Sequence, residues 1–300
     1  MTFSQSVKQE LCHAKFHCPE CGFLCTYVAL SLCQRQGPEI LYRSDRPEVV
    51  EFLAENLVED IGVIATVTNP DLSAKGKNKV LLLTLEDKED RQAYLKRYEI
   101  PMKNALEKVK KACCRAAVLR GAFLSCGTIV DPAREYHLEF RFLDKEQADL
   151  FASFCERYDL RFHRATRKET DILYLKESEH IEDLLTFMGA VKSAMNLMDV
   201  KIVKEVRNNV NRITNCETAN IQKTVTASVK QVRDIELIRA GKGLSFLSED
   251  LQKTAKARLK YPELSLGELC KVIDPNLSRS GLNHRLKRLS AIAEEMRKEK

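Results

Sequence analysis

The feature of this sequence that most limits its fold is a repeated order of elements. One stretch opens with an apolar helix from Phe23 to Gln34, closed by Gly37-Pro38. A short strand at Ile40–Tyr42 follows, then a helix from Pro47 to Asp60 with Val50, Leu53, Leu57 and Ile61 on one face. Strands at Gly62–Thr68 and Lys79–Leu85 flank a polar loop around Lys75-Gly76-Lys77, and helical segments return from Asp87. A second stretch runs through the same order. Helix Ala112–Ser125 ends at Cys126-Gly127, and strand Thr128–Val130 leads to a turn at Asp131-Pro132. Tyr136–Phe142 alternates as a strand with Tyr136, Leu138, Phe140 and Phe142 on one face. Helix Lys145–Tyr158, strands Arg161–Ala165 and Ile172–Leu175, and a helix from Ile181 to Met188 complete the unit. A duplicated helix–strand–strand–helix–strand–strand–helix unit is an α+β architecture.

Beyond this pair the pattern turns helical. Asp199–Arg212 reads as a helical linker leading to Asn215–Asn220. Ile221, Val225, Val229, Val232, Ile235 and Ile238 then recur at helical steps until Gly241 and Gly243 stop them. The expected division is a first repeat over 1–105, a second over 106–208 and a helical domain over 209–300. A length of 300 residues suits about two domains of roughly 150 residues each. Hydrophobic and charged fractions of 44% and 31% belong to a globular chain rather than a disordered or collagenous one. No apolar run reaches the roughly 18 residues of a spanning helix, and Met1–Leu11 has no secretory signal. The expectation is a cytoplasmic, nucleoid-associated protein with no membrane partner and no small-molecule substrate.

Charge is unevenly placed. Residues 1–208 carry 31 Lys and Arg against 32 Asp and Glu, whereas residues 209–300 carry 18 against 11. A neutral body with a basic end points to a polyanionic partner held at that end. Within it, Ser265 and Glu268 form a capping box opening a short helix, Leu266–Ile273. Asp274-Pro275-Asn276 turns the chain, and Ser278 caps a helix whose Leu282, Leu286, Leu289 and Ala293 form a buried stripe. At 100° per residue Ser280, His284, Lys287 and Arg288 face away from it, with Asn283 beside them and Arg279 and Arg285 on its margins. No acid occurs between Asp274 and Glu294. A short helix, tight turn and basic helix make a helix-turn-helix at about 265–298. Its chemistry suits double-stranded DNA, since Arg and Lys neutralise phosphates and Asn or Arg reads purine edges.

Eleven cysteines in a chain of this length read as reduced thiols. Most are small buried hydrophobes. Cys18-Pro19-Glu20-Cys21 has the spacing of half a tetrahedral zinc site, which Cys12, His13, His17 or Cys25 could complete. A second CxxC at zinc-ribbon spacing is missing. No cofactor is therefore expected, and Cys12, Cys18, Cys21 and Cys25 stand as the candidate set.

Several motifs carry a resemblance. They are Cys113–Pro132 with its core Leu119-Arg120-Gly121-Ala122-Phe123-Leu124, then Tyr136–Glu139, Arg207–Arg212, Asn215–Asn220 and Ser278–Leu289. In this order they resemble the WhiA family, most strongly from Cys113 onward. The resemblance implies a degenerate LAGLIDADG homing-endonuclease fold in two repeats, joined to a C-terminal helix-turn-helix. It also implies a bacterial DNA-binding transcription regulator linked to sporulation, cell division and chromosome segregation. In active LAGLIDADG enzymes each motif helix ends in an acid that holds catalytic metal. Here Gln36 and Cys126 stand at those positions, and neither supplies the ionised carboxylate that Mg²⁺ wants. The expectation is a non-enzyme. The alternatives are a metal-dependent DNA endonuclease, or a module that binds an RNA polymerase sigma factor, a division protein or another regulator. No dinucleotide fingerprint, Walker motif or nucleophile elbow occurs.

Overall fold

Two helices made mostly of apolar and small residues need a buried place, and they find it against each other. The computed structural model describes residues 1–33, 39–69 and 80–298. Its elements are, in order, α1 (Phe3–His13), α2 (Pro19–Ser31), β1 (Ile40–Ser44), α3 (Pro47–Ile61), β2 (Thr66–Thr68), β3 (Leu81–Thr84), α4 (Lys88–Tyr98) and α5 (Met102–Glu107). The second set is α6 (Ala112–Cys126), β4 (Gly127–Ile129), β5 (Leu138–Phe142), α7 (Lys145–Glu156), β6 (His163–Arg167), β7 (Thr170–Leu175) and α8 (Ser178–Met188). Then come α9 (Val191–Gly241), α10 (Glu249–Lys260), α11 (Leu266–Ile273) and α12 (Arg279–Lys298). The chain forms two compact units, Met1–Lys204 and Glu205–Lys300.

In the first unit α2 and α6 pack side by side. Both are buried nearly all round, as helices at the centre of a core must be. Their approach depends on Gly121, where a Cβ would stand 2.2 Å from the carbonyl oxygen of Cys25. Each repeat adds an antiparallel sheet. The first has strand order β1-β3-β2 and the second β4-β5-β7-β6, so β5, β7 and β6 repeat the arrangement of β1, β3 and β2. Residues 34–38 lie outside the described residues, and with them Gln36 and Gly37. Leu138, Phe140 and Phe142 of β5 are buried, as their alternation requires. The buried Arg120 fastens α6 to its surroundings, donating to the carbonyls of Ala14 and Met188 and stacking over Phe16.

Three differences from the sequence reading have local causes. Helix α1 went unread because only Val7 and Leu11 are buried on it; its capping box, Thr2 with Gln5, is the signal that marks it. The strand expected from Gly62 begins at Thr66, because Gly62 ends α3 with φ +70. The linker and the amphipathic stretch after it are one helix, α9, with no glycine or proline from Val191 to Ala240 to break it. Its start is clasped by Glu10 of α1, whose carboxylate accepts from the backbone N–H groups of Lys192 and Ser193 and from the Ser193 hydroxyl at 2.7–2.9 Å. The carboxylate thereby satisfies N–H groups that a helix start leaves unpaired.

Candidate nucleic-acid interface

The second unit is built around a core of Ile235 and Ile238 from α9, Leu251 and Ala255 from α10, Leu269 and Cys270 from α11, and Leu282, Leu286, Leu289 and Ala293 from α12. The stripe read in the sequence is therefore the buried face of α12. Ser265 caps α11 in a full capping box, with Glu268 N–H donating to its hydroxyl and its own N–H donating to the Glu268 carboxylate. The intervening turn is held by Asp274, which accepts from Asn276 N–H at 2.9 Å. Ser278 accepts from Gly281 N–H at 3.1 Å and so caps α12. Arg258 is almost wholly buried and donates to the carbonyl of Leu264 at 2.7 Å, pinning the turn between α10 and α11.

This packing sorts the basic residues. Ser278, Arg279, Ser280, His284, Lys287 and Arg288 are exposed, and Asn283 is half-buried beside them. Arg279 lies over Gly267 in the first turn of α11, where a Cβ would come within 2.8 Å of its guanidinium. Arg285 is different. It is half-buried and paired with Asp250 of α10 at 3.1 Å, so it clamps helix to helix. Spacing along α12 gives no sign of that partner, which sits 35 residues upstream.

The first unit holds a second concave surface. Where the last turns of α2 and α6 meet the two sheets, an open groove of about 1160 Å³ is lined by Lys8, Arg43, Arg46, Arg141 and Arg167. Cys126 lines it too. Its thiol donates to the Ala122 carbonyl at 3.3 Å, and burial pushes it up to about 12, so it stays a neutral thiol at physiological pH. Burial also pulls the Lys8 ammonium down to about 8 while it donates to the Leu124 carbonyl at 3.0 Å. Two acids border the groove among the described residues. Asp45 pairs with Arg46, and Asp144 accepts from Glu146 N–H to cap α7.

Of the candidate metal ligands, Cys18 and Cys21 lie together, but Cys12 and Cys25 do not join them. Cys113 and Cys114 of α6 do, all four sulfurs lying within 4.8 Å of one another. The partners of the CxxC are not a second CxxC but a vicinal pair some 95 residues along the chain.

Comparison with known proteins agrees with this geometry. A family model for the WhiA LAGLIDADG-like domain matches residues 115–207, and one for the WhiA C-terminal HTH domain matches 210–293. A probable cell division protein WhiA of Clostridium botulinum is 35% identical over 321 aligned positions, covering 99% of each chain. The chain belongs to the WhiA family. Another probable cell division protein WhiA, from Caldicellulosiruptor bescii, is 42% identical over 203 residues, covering 68% of this chain and 62% of that relative. The crystal structure of full-length DUF199/WhiA from Thermatoga maritima shares the fold, with a TM-score of 0.59 at 23% identity over 98% of this chain and 99% of the other. In this WhiA-type chain a LAGLIDADG-like body is thus followed by a helical helix-turn-helix domain. Among the described residues no helix is long and apolar enough to cross a membrane.

Proposed function

We propose that this chain is a sequence-specific double-stranded DNA-binding regulator acting in cell division, the process its relatives are named for, and that its endonuclease-like body does not cleave. The observation that carries the reading is α12. Its apolar stripe is locked onto α9, α10 and α11 while Ser280, His284, Lys287 and Arg288 stand exposed in a stretch, 275–293, that holds no acid. A helix presented in that way enters the major groove. Ser280, Asn283, His284 and Lys287, near its N-terminal end, approach base edges. Arg279 and Arg288 neutralise phosphate, and Ser278 presents the helix start. Arg285, spent on Asp250, sets the angle of α12. Transcription control, with effects on sporulation and chromosome segregation from the nucleoid, is the consequence of such binding.

The test is titration of variants against a selected site and a random duplex at several salt concentrations. Asn283→Ala should lose about 1–3 kcal/mol on the selected site and little on random DNA. Arg288→Ala should weaken both and reduce the salt slope by about one unit. If both bind like the unaltered chain, α12 is not the reader. A second reading, docking of a sigma factor or division protein, rests on the exposed apolar residues Val210, Ile213, Ile221 and Val225 of α9. Binding that survives high salt and loss of Arg288, yet fails when those residues are changed, favours it.

A further inference from the structure

The four cysteines Cys18, Cys21, Cys113 and Cys114 have no part in reading DNA, and their arrangement is unlike that of cysteines filling a core. Cys18 Sγ lies 3.3 Å from Cys21 Sγ, 3.7 Å from Cys114 Sγ and 3.8 Å from Cys113 Sγ. Zn–S bonds of about 2.3 Å set tetrahedral sulfurs about 3.8 Å apart. Among the described residues no other group of three or more His, Cys, Asp or Glu side chains gathers in this way. We infer that these four thiolates form a tetrahedral structural zinc site joining the two repeats.

Charge and hydrogen bonding favour the same occupant. Cys18 is the N-cap residue of α2, Cys21 lies in its first turn, and Cys113 and Cys114 lie in the first turn of α6. Neither helix start has a side-chain cap. Their positive dipole ends face the place where a tetrathiolate would carry negative charge. Cys21 and Cys114 are buried whereas Cys18 and Cys113 are half-exposed, which leaves an ion a route in. The donor set is all soft sulfur, which selects zinc over the hard oxygen-seeking Mg²⁺ or Ca²⁺. Binding is a simple exchange: each neutral thiol releases its proton to water as its sulfur takes a coordinate bond to Zn²⁺, and nothing is oxidised. The site is distant in role from the groove at the opposite ends of the same helices. There Cys126 stands at the position where the resemblance places a catalytic acid; here the metal would be a staple.

The experiment uses the full chain purified without chelator from zinc-supplemented cells. Elemental mass spectrometry should find one zinc per chain. Cobalt exchanged into the stripped protein should show the visible bands and sulfur-to-metal charge transfer of a tetrahedral tetrathiolate. Stripping should lower the melting temperature of the body and zinc should restore it. Cys113→Ser and Cys18→Ser should lose the metal on dialysis, whereas Cys216→Ser, exposed on α9, should keep it. The measurement on the unaltered chain decides the matter even if a variant fails to fold. Four titratable free thiols with no cobalt uptake, iron in place of zinc, or a Cys18–Cys21 disulfide would each overturn the assignment. So would full zinc occupancy in Cys113→Ser/Cys114→Ser.

Discussion

Replacing Gly121 with alanine is the sharpest probe of the helix pair at the centre of the body, because the sign of the effect depends on the packing. In an exposed helix the change gains up to about 1 kcal/mol, since alanine has less backbone entropy to lose. Here the new Cβ would stand 2.2 Å from the oxygen, 3.0 Å from the carbon and 3.2 Å from the Cα of Cys25. A carbon and a carbonyl oxygen rest at about 3.3 Å or more, so α2 and α6 must part by roughly 1 Å. The obstacle is main chain and cannot rotate aside. Overpacking of this kind costs about 1–3 kcal/mol, and a backbone clash belongs at the upper end. Subtracting the propensity gain leaves a net loss of about 2 kcal/mol, or about 4–8 °C in melting temperature for a unit of this size. The chain has no tryptophan, and seven of its eight tyrosines lie in residues 1–204, so near-ultraviolet tyrosine dichroism follows the body. Gly22→Ala is the control: its Cβ would meet nothing nearer than Asn56 at 3.5 Å, and it should be neutral or stabilising. A Gly121→Ala chain that melts at or above the unaltered temperature would refute the close approach of α2 and α6.

Ser265→Ala should destabilise the helix-turn-helix by about 1 kcal/mol, read by urea titration, without changing which DNA sequence is preferred. Burial raises Cys12 and Cys126 to about 12, from about 9 when unfolded, so their contribution is complete below pH 9 and is lost as pH climbs toward 12. Stability should fall by about 1.4 kcal/mol per pH unit per thiol in that window, and Cys126→Ala should shed one thiol's share of the slope. Purified protein given supercoiled DNA with Mg²⁺ or Mn²⁺ should leave it intact. Metal-dependent nicking that co-purifies with the chain and persists in Cys126→Ala would contradict the reading of that position.

The parts legible in the sequence were those that one periodicity or one short motif governs. The stripe Leu282, Leu286, Leu289 and Ala293, the capping box at Ser265 and the cap at Ser278 depend on neighbours within a few residues, and each lies where local spacing placed it. The alternation of β5 was equally open, since a strand with one buried face writes that face every second residue. What stayed hidden depends on chain segments far apart. Arg285 stands on the margin of the α12 stripe, and its partner Asp250 lies on another helix, 35 residues upstream. Cys113 and Cys114 reach Cys18 and Cys21 only through the pairing of α2 with α6. Helix α1 falls between the two: its cap was readable, but with two buried positions it has too thin an apolar face to announce itself.

The clasp of Glu10 on the start of α9 sets an order of events during synthesis. Its partners lie 182 and 183 residues downstream. At about 5–20 residues per second the ribosome needs roughly 10–40 seconds to deliver them after Glu10 has been made. Until then α1 is a short amphipathic helix whose last anchor does not yet exist, resting on whatever of α3 and α6 has emerged. The body is thus locked from its first residues by its last, and a nascent chain stalled before Ser193 would carry an open N-terminal latch for chaperones or proteases to find.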